Sequence, residues 1–454
     1  MKTTINQISP VEYELEITAE ASDLDPEIKD AIRQQRAQTQ LKGFRPGKVP
    51  LNLVKKMHGK ALAYGVAEQK VQEVYQKEIL TPDEYDVIGQ PKLTELDYEL
   101  DSDLHAVIRF GVRPEVELKD LSGEQLTRLE REISDDDIDE QVERIRLDHA
   151  DLVPVEDEAI AEDFQVIVDL QRVDESSNSP IIGEKEEDVT FYMDDERLNT
   201  ELREGLLGKK SSDSFFVDLP HGEGAHVHTH RYKVTIKDTK RREMPELDDA
   251  FVGEVSKDQL VSVDELREDL RKNLEEAWKQ RSQELLDGHI VERMLELHDI
   301  AVPQSAVELF LDSFVEDIKR RNDGKLPEDF DAAAFREANR GEAERQAKWM
   351  LIRDTFIERE GLEVSDADLD EYFETAAAQN EQLSPAILRQ YYESMKMLEQ
   401  VEQQILSRKA FAALADKFEI IGKDVDAFEE EMKARQERES VESQSGGTTL
   451  VQAR

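Results

Sequence analysis

Val11, Tyr13, Leu15 and Ile17 alternate with Glu12, Glu14, Glu16 and Thr18, the two-residue period of a strand with one buried face. The same period returns at Leu104, Ala106, Ile108 and Phe110. Between these strands the spacing changes to that of helices. Asp25 as N-cap and Pro26 as first helical residue open one that turns Ile28, Ile32 and Leu41 inward, until Gly43 and Pro46 stop it. Pro50 opens a second, with Val54, Met57, Leu62, Val66 and Val74 on its apolar side. Residues 1–113 therefore read as an α+β unit whose two helices meet at a tight Gly/Pro loop.

Residues 114–157 read as a charged linker. Its run DDDIDEQVERIRL after Ser134 places acids in a first helical turn, where the helix dipole favours them. Strand alternation resumes at Phe164, Val166, Val168 and Leu170, at Phe215, Val217 and Leu219, and at Tyr232, Val234 and Ile236, with helical spacing over 195–207. This gives a small α+β domain over 158–243. Residues 244–433 read as helices almost throughout. Ser262 with Glu265 and Ser365 with Asp368 have capping-box spacing, and further helices start near Pro303, Ala332 and Pro385. The last carries Leu388, Tyr391, Tyr392, Met395, Leu398, Ile405 and Phe411 as one element. Residues 434–454 lack periodicity and read as a flexible tail.

Charge sharpens this picture. The 454 residues carry 59 Lys plus Arg against 105 Asp plus Glu, a net charge of −46, so any nucleic-acid contact must be local. An acidic excess of this size fits a salt-rich cytosol. The absence of cysteine excludes disulfides, thiol nucleophiles and Cys-ligated metals. No long apolar run and no signal-peptide pattern is present, so the expectation is a cytoplasmic protein without a membrane span. No nucleotide loop or catalytic triad spacing stands out, and no cofactor is expected.

One stretch breaks the acidic pattern. From Ala31 to Ala67 there is no Asp or Glu, but there are Arg33, Arg36, Lys42, Arg45, Lys48, Lys55, Lys56 and Lys60. At its centre lies GFRPGKVP, residues Gly43 to Pro50, whose glycines and prolines hold Phe44, Arg45 and Lys48 outward between two helices. An Arg fork, a Lys point charge and an apolar ring suit phosphate and protein contacts together.

This segment resembles the ribosome-docking signature of the trigger factor family. REMPELDDAF (Arg242 to Phe251), Val302 with Pro303, EAERQAKWMLIRDTFIEREGLEVSDADLDEYF (Glu342 to Phe373) and SRKAFAALADK (Ser407 to Lys417) follow in family order. The resemblance implies an α+β multidomain fold: a ribosome-binding domain, a small FK506-binding-protein-like prolyl isomerase domain, and an elongated all-α C-terminal domain with arms. It further implies an ATP-independent chaperone that docks near the exit tunnel and shields nascent chains. Gly43, Phe44, Arg45, Pro46, Gly47 and Lys48 would engage large-subunit protein and RNA. Nascent and unfolded polypeptides would be the clients, and the free form would be able to dimerise.

The middle domain departs from the family pattern. GLLGKKSSDSFFVDLP (Gly205 to Pro220) looks like the strand and turn after an isomerase pocket, but RLNTELREG (Arg197 to Gly205) stands where the family carries an Ile-Pro-Gly stretch. Phe164, Phe191, Tyr192, Phe216 and Tyr232 are the available walls, or equally core rings at strand spacing. Isomerase activity stays open, and a protein acting chiefly as a prolyl isomerase is the alternative. His221, His226, His228 and His230 have the spacing of a metal-binding strand face, against the simpler reading of a polar hairpin; no metal is expected. For client contact the helical region offers Met294, Phe310, Phe314, Met350, Phe356, Tyr391, Tyr392, Met395 and Met397, several of which must be core.

Overall fold

A computed structural model describes residues 1–434 apart from 43, 46, 83, 101, 156, 175, 196, 222–227 and 379–383. The chain opens with strands β1 (Lys2–Ser9) and β2 (Glu12–Ala19), helices α1 (Ala21–Gln38) and α2 (Leu51–Tyr75), and strands β3 (Val87–Asp97) and β4 (Leu104–Val112). Next come β5 (Gln125–Leu129), α3 (Asp135–Asp148) and β6 (Asp151–Pro154). The strands β7 (Phe164–Val173) and β8 (Pro180–Tyr192), helix α4 (Thr200–Leu206), and strands β9 (Ser214–His221) and β10 (His228–Glu243) follow. Helices then take over: α5 (Asp249–Ser256), α6 (Val263–Leu297), α7 (Gln304–Arg321), α8 (Ala332–Glu360), α9 (Asp366–Ala378), α10 (Pro385–Ser394) and α11 (Leu398–Ala415), before a last strand β11 (Glu419–Lys423). Two compact units result, one of residues 1–129 with those from 283 onward, the other of residues 130–282.

In the first unit, an antiparallel sheet of order β1-β2-β4-β3 places Leu15, Ile17, Ala106, Ile108 and Phe110 under α1 and α2. Helix α1 starts a turn before the expected Asp25 and contains Pro26. The sheet decides this: Asp103 Oδ1 accepts the Ala21 N–H at 3.0 Å, and Leu24 in that extra turn is fully buried. Asp25 instead pairs with Lys29 at 2.8 Å. Helix α2 follows Pro50 as expected, but its most buried line is Val54, Gly59, Ala63, Ala67, Val71 and Tyr75, while Met57 is 49% exposed. Small residues at four-residue spacing form a low ridge that lets α2 lie close to its neighbours.

The first helical turn of α7 is seated on the outer side of this sheet. Gln304 N–H donates to Glu12 Oε1 at 2.5 Å and Ser305 Oγ to the Ile88 carbonyl at 2.5 Å. A Cβ at Gly111 would run into Pro303 and Ser305, and one at Gly89 into the Ser305 backbone. Elsewhere in the unit, β5 and β11 pair in parallel, Leu126 opposite Ile420, across a core that joins Leu286, Ile290, Met294, Ile352, Phe356 and Leu414. The single helix expected after Pro385 is two. Lys396, at φ +56°, ends α10, and Met397 N–H closes back on the Tyr392 carbonyl at 2.9 Å. That break lets Leu388, Tyr392 and Leu398 pack with Leu369, Phe373, Val401 and Ile405 in one cluster.

In the second unit the sheet runs β6-β10-β7-β8, with β9 on β10. Helix α3 carries a complete capping box between Ser134 and Asp137. Helix α4 covers only 200–206 of the expected helical stretch, starting at the Asn199 side chain, which accepts the Leu202 N–H at 3.2 Å. Leu202 and Leu206 are buried against Phe164, Val166, Val168, Val217, Val234 and Ile236. Gly205 has no room for a Cβ because the Phe215 ring lies on it.

Candidate functional site

The loop between α1 and α2 is built outward from two anchors. Val49 is fully buried and Leu41 half-buried against the first core. Between them, Lys48 N–H donates to the Arg45 carbonyl at 2.9 Å, with Gly47 at φ +76° in the third position of the turn. That position takes glycine because a positive φ is cheap only without a Cβ, and open space around Gly47 shows that conformation, not room, is the constraint. The result is a short projection. Phe44 is 42% exposed, and Arg45 and Lys48 are exposed beside it. Among the described residues neither cation has a carboxylate partner, whereas Arg33 nearby is paired with Asp30 at 2.6 Å. Gly43 and Pro46 lie outside the described residues.

The five aromatic candidates of the middle domain do not converge. Phe164 is core, and Phe191 and Tyr232 are packed against it. Tyr192, opposite Gln165 in the β7–β8 ladder, hydrogen-bonds to that side chain at 2.9 Å and lies under the Arg242 guanidinium. Phe216 is opposite Lys233, one register step from the Val217–Tyr232 pair, and is 49% exposed. A one-residue step reverses the face of a strand, so Phe216 and Tyr232 stand on opposite sides of the sheet. A cleft of about 810 Å³ in this unit is lined by Arg144, Leu152, Tyr192, Asp194, Arg197 and Arg242 among others, and Tyr192 alone of the five rings reaches it.

Of the histidines, His226 lies outside the described residues, His228 pairs with His221 in the ladder, and His230 Nδ1 is 3.2 Å from Arg172 Nη2. No group of three metal-ligating side chains occurs among the described residues. Met294 and Phe356, candidates for client contact, are fully buried core, and Phe310, Phe314, Met350, Tyr392 and Met397 are half-buried. Tyr391 and Met395 are exposed, together with Ile387, which the sequence reading passed over. Their four-residue spacing along α10 and its C-cap Met395 was its only signal. No helix among the described residues is long and apolar enough to cross a membrane.

A cationic projection on an α+β domain, a separate β-rich domain and a helical region with an exposed apolar ridge define a multidomain binding protein. Comparison with known proteins narrows the class. Residues 1–145 match the model described as "Bacterial trigger factor protein (TF)" and residues 262–416 that of its C-terminus. The trigger factor of Salinibacter ruber is 46% identical over 94% of this chain and 96% of its own length. That of Chlorobaculum tepidum is 31% identical over 92% and 97%. A solved structure described as "Promiscuous Substrate Recognition in Folding and Assembly Activities of the Trigger Factor Chaperone" covers 91% of this chain and 99% of that chain, at 19% identity and a TM-score of 0.46. The chain belongs to the trigger factor family, whose function is that of a ribosome-associated chaperone.

Proposed function

We propose that Phe44, Arg45, Gly47 and Lys48, with Gly43 and Pro46, are the ribosome-docking element, and that it acts near the exit tunnel on large-subunit RNA and protein. The observation that carries this is the pair of exposed cations without a carboxylate partner among the described residues, on a turn beside the buried Val49, in a chain of net charge −46. Phosphate binding by such cations releases condensed counterions, so docking weakens steeply with salt. The domains divide at 1–113 for docking, 114–157 for the linker, 158–243 for the isomerase-like domain and 244–433 for the client-binding helices. The protein works in the cytoplasm, and the free form pairs with a second copy when it is off the ribosome.

Client holding rests on scattered exposed apolar side chains such as Ile387, Tyr391 and Met395. Solvated charges around such side chains keep contacts weak and release fast. The test is co-sedimentation with translating ribosomes: an Arg45→Ala, Lys48→Ala double variant should be lost from the ribosomal fraction at moderate salt. Retention equal to wild type would remove the proposal. The isomerase alternative has less support, because Leu202 and Leu206 fill the space between α4 and the sheet.

A further inference from the structure

Sheet edges expose unpaired backbone groups, and proteins usually blunt them with prolines, charges, bulges or covering elements. Among the described residues this chain does so at almost every long edge. Strand β3 contains Pro91, changes register twice and is covered at Gly89 by Ser305. Strand β8 carries Glu184, Glu186, Glu187 and Asp188 and is also bulged. Strand β6 is four residues long and ends on Pro154, and β9 contains Asp218 and Pro220. Strand β1 is different. Its eight residues, KTTINQIS, hold no acid and no proline, its one charge is Lys2 and its one register shift falls at the far end between Gln7 and Ser9, and the first seven residues are exposed.

We propose that the open edge of β1 receives an extended segment of non-native polypeptide as an added strand, bound through main-chain hydrogen bonds along Lys2–Ser9. This rests on the chaperone reading and adds to it a mode of recognition. Backbone pairing ignores side-chain identity, which suits clients without a common sequence. Ile5, opposite Leu15 in the ladder, lies on the same face as the core but beyond the cover of α1 and α2, and is 38% exposed. An apolar side chain of the incoming strand gains cover there. Glu14 and Glu16 on the neighbouring strand are taken up by Arg109 and His105, so it is the overall negative charge that selects neutral or basic segments over acidic ones. An eight-residue edge is about 27 Å long and one strand wide. That falls short of the roughly 1,200 Å² of a stable interface, and so fits a transient client better than a permanent dimer.

The test uses the full chain and a fluorescein-labelled peptide of alternating Thr and Val with Lys at both ends, beside the same peptide N-methylated at alternate residues. Neighbouring strand residues point their N–H groups to opposite sides, so of Thr4→Pro and Ile5→Pro one removes only an outward donor and keeps the β1–β2 ladder. The parent peptide should bind wild type, and N-methylation or the correctly folded proline variant should weaken it about tenfold, the size of one or two lost hydrogen bonds. Ribosome co-sedimentation should be unchanged. Equal binding of parent and methylated peptides overturns the proposal, as does a folded proline variant that binds like wild type. So does a dimer-to-monomer shift of the unliganded variant in sedimentation, which would assign the edge to a second copy. If both proline variants misfold, the methylated peptide decides alone. Wild type that suppresses aggregation of a denatured protein while failing these arms sinks the edge only; wild type that suppresses nothing sinks the chaperone reading as well.

Discussion

His298 Nε2 accepts the backbone N–H of Lys119 at 3.0 Å, while its Nδ1 faces the Met294 carbonyl at 2.7 Å. The ring is buried, and it ties the segment after β4 to the end of α6. Accepting at Nε2 requires the neutral imidazole. Burial lowers its pKa below the ordinary 6.5, and Lys119, Lys348 and Arg359 act in the same direction. The native state then binds fewer protons than the unfolded state just below that pH. The stabilisation is complete above about 6.5 and is lost as pH falls towards the native pKa. Urea midpoints measured from pH 7.5 down should decline through this window in wild type. His298→Ala should flatten that decline and cost about 1–2 kcal/mol at neutral pH, since it removes the acceptor of the part-buried Lys119 N–H.

Loop rigidity and loop charge are separable. Arg45→Ala with Lys48→Ala should change stability by less than about 0.5 kcal/mol, because both side chains are exposed and unpaired. Gly47→Ala, which forces a Cβ into φ +76°, should cost about 1 kcal/mol. Val49→Ala should cost about 2 kcal/mol through lost burial. Thermal melts read the stability, and ribosome co-sedimentation should show the Gly47→Ala and Val49→Ala variants docking less firmly than wild type.

The seat of α7 depends on two absent side chains. Gly111→Ala should displace Pro303 and Ser305 from the sheet, since their atoms occupy the space a Cβ needs. Amide exchange at residues 304–307 should rise while the sheet core around Phe110 stays protected; unchanged exchange would contradict the packing.

Lys396 pays a conformational penalty where α10 ends. Its φ of +56° is one that glycine adopts freely, so Lys396→Gly should stabilise the chain by up to about 1 kcal/mol in a denaturation series. A loss of stability would mean that the lysine side chain contributes more than its backbone costs.

Proline-limited refolding of a model protein should run at its uncatalysed rate, tens to hundreds of seconds, with this chain present at stoichiometric amounts. The five aromatic candidates are divided between the two sides of the sheet, and Leu202 and Leu206 occupy the space beneath α4. Acceleration would show that a proline site exists elsewhere in the domain.

Local patterns carried much of this protein. Alternation marked β2, β4, β7, β9 and β10 because each has one buried face, and the acid-free run marked the cationic loop because charge composition needs no fold to be visible. Acids in the first turn located α3, whose Ser134–Asp137 box only the structure shows, and capping-box spacing located α9, where Ser365 and Asp368 close on each other within three residues. What depended on distant partners was not legible. The start of α1 waits on Asp103, the parallel β5–β11 pair joins segments nearly 300 residues apart, and β1, exposed on both faces, has no alternation to betray it. The sequence alone settled which segments are amphipathic and where positive charge collects. Tertiary structure decided which rings share a face, which methionines are core and which sheet edge stays open, because each of those depends on the neighbours that folding brings, and a residue's chemistry does not name its neighbours.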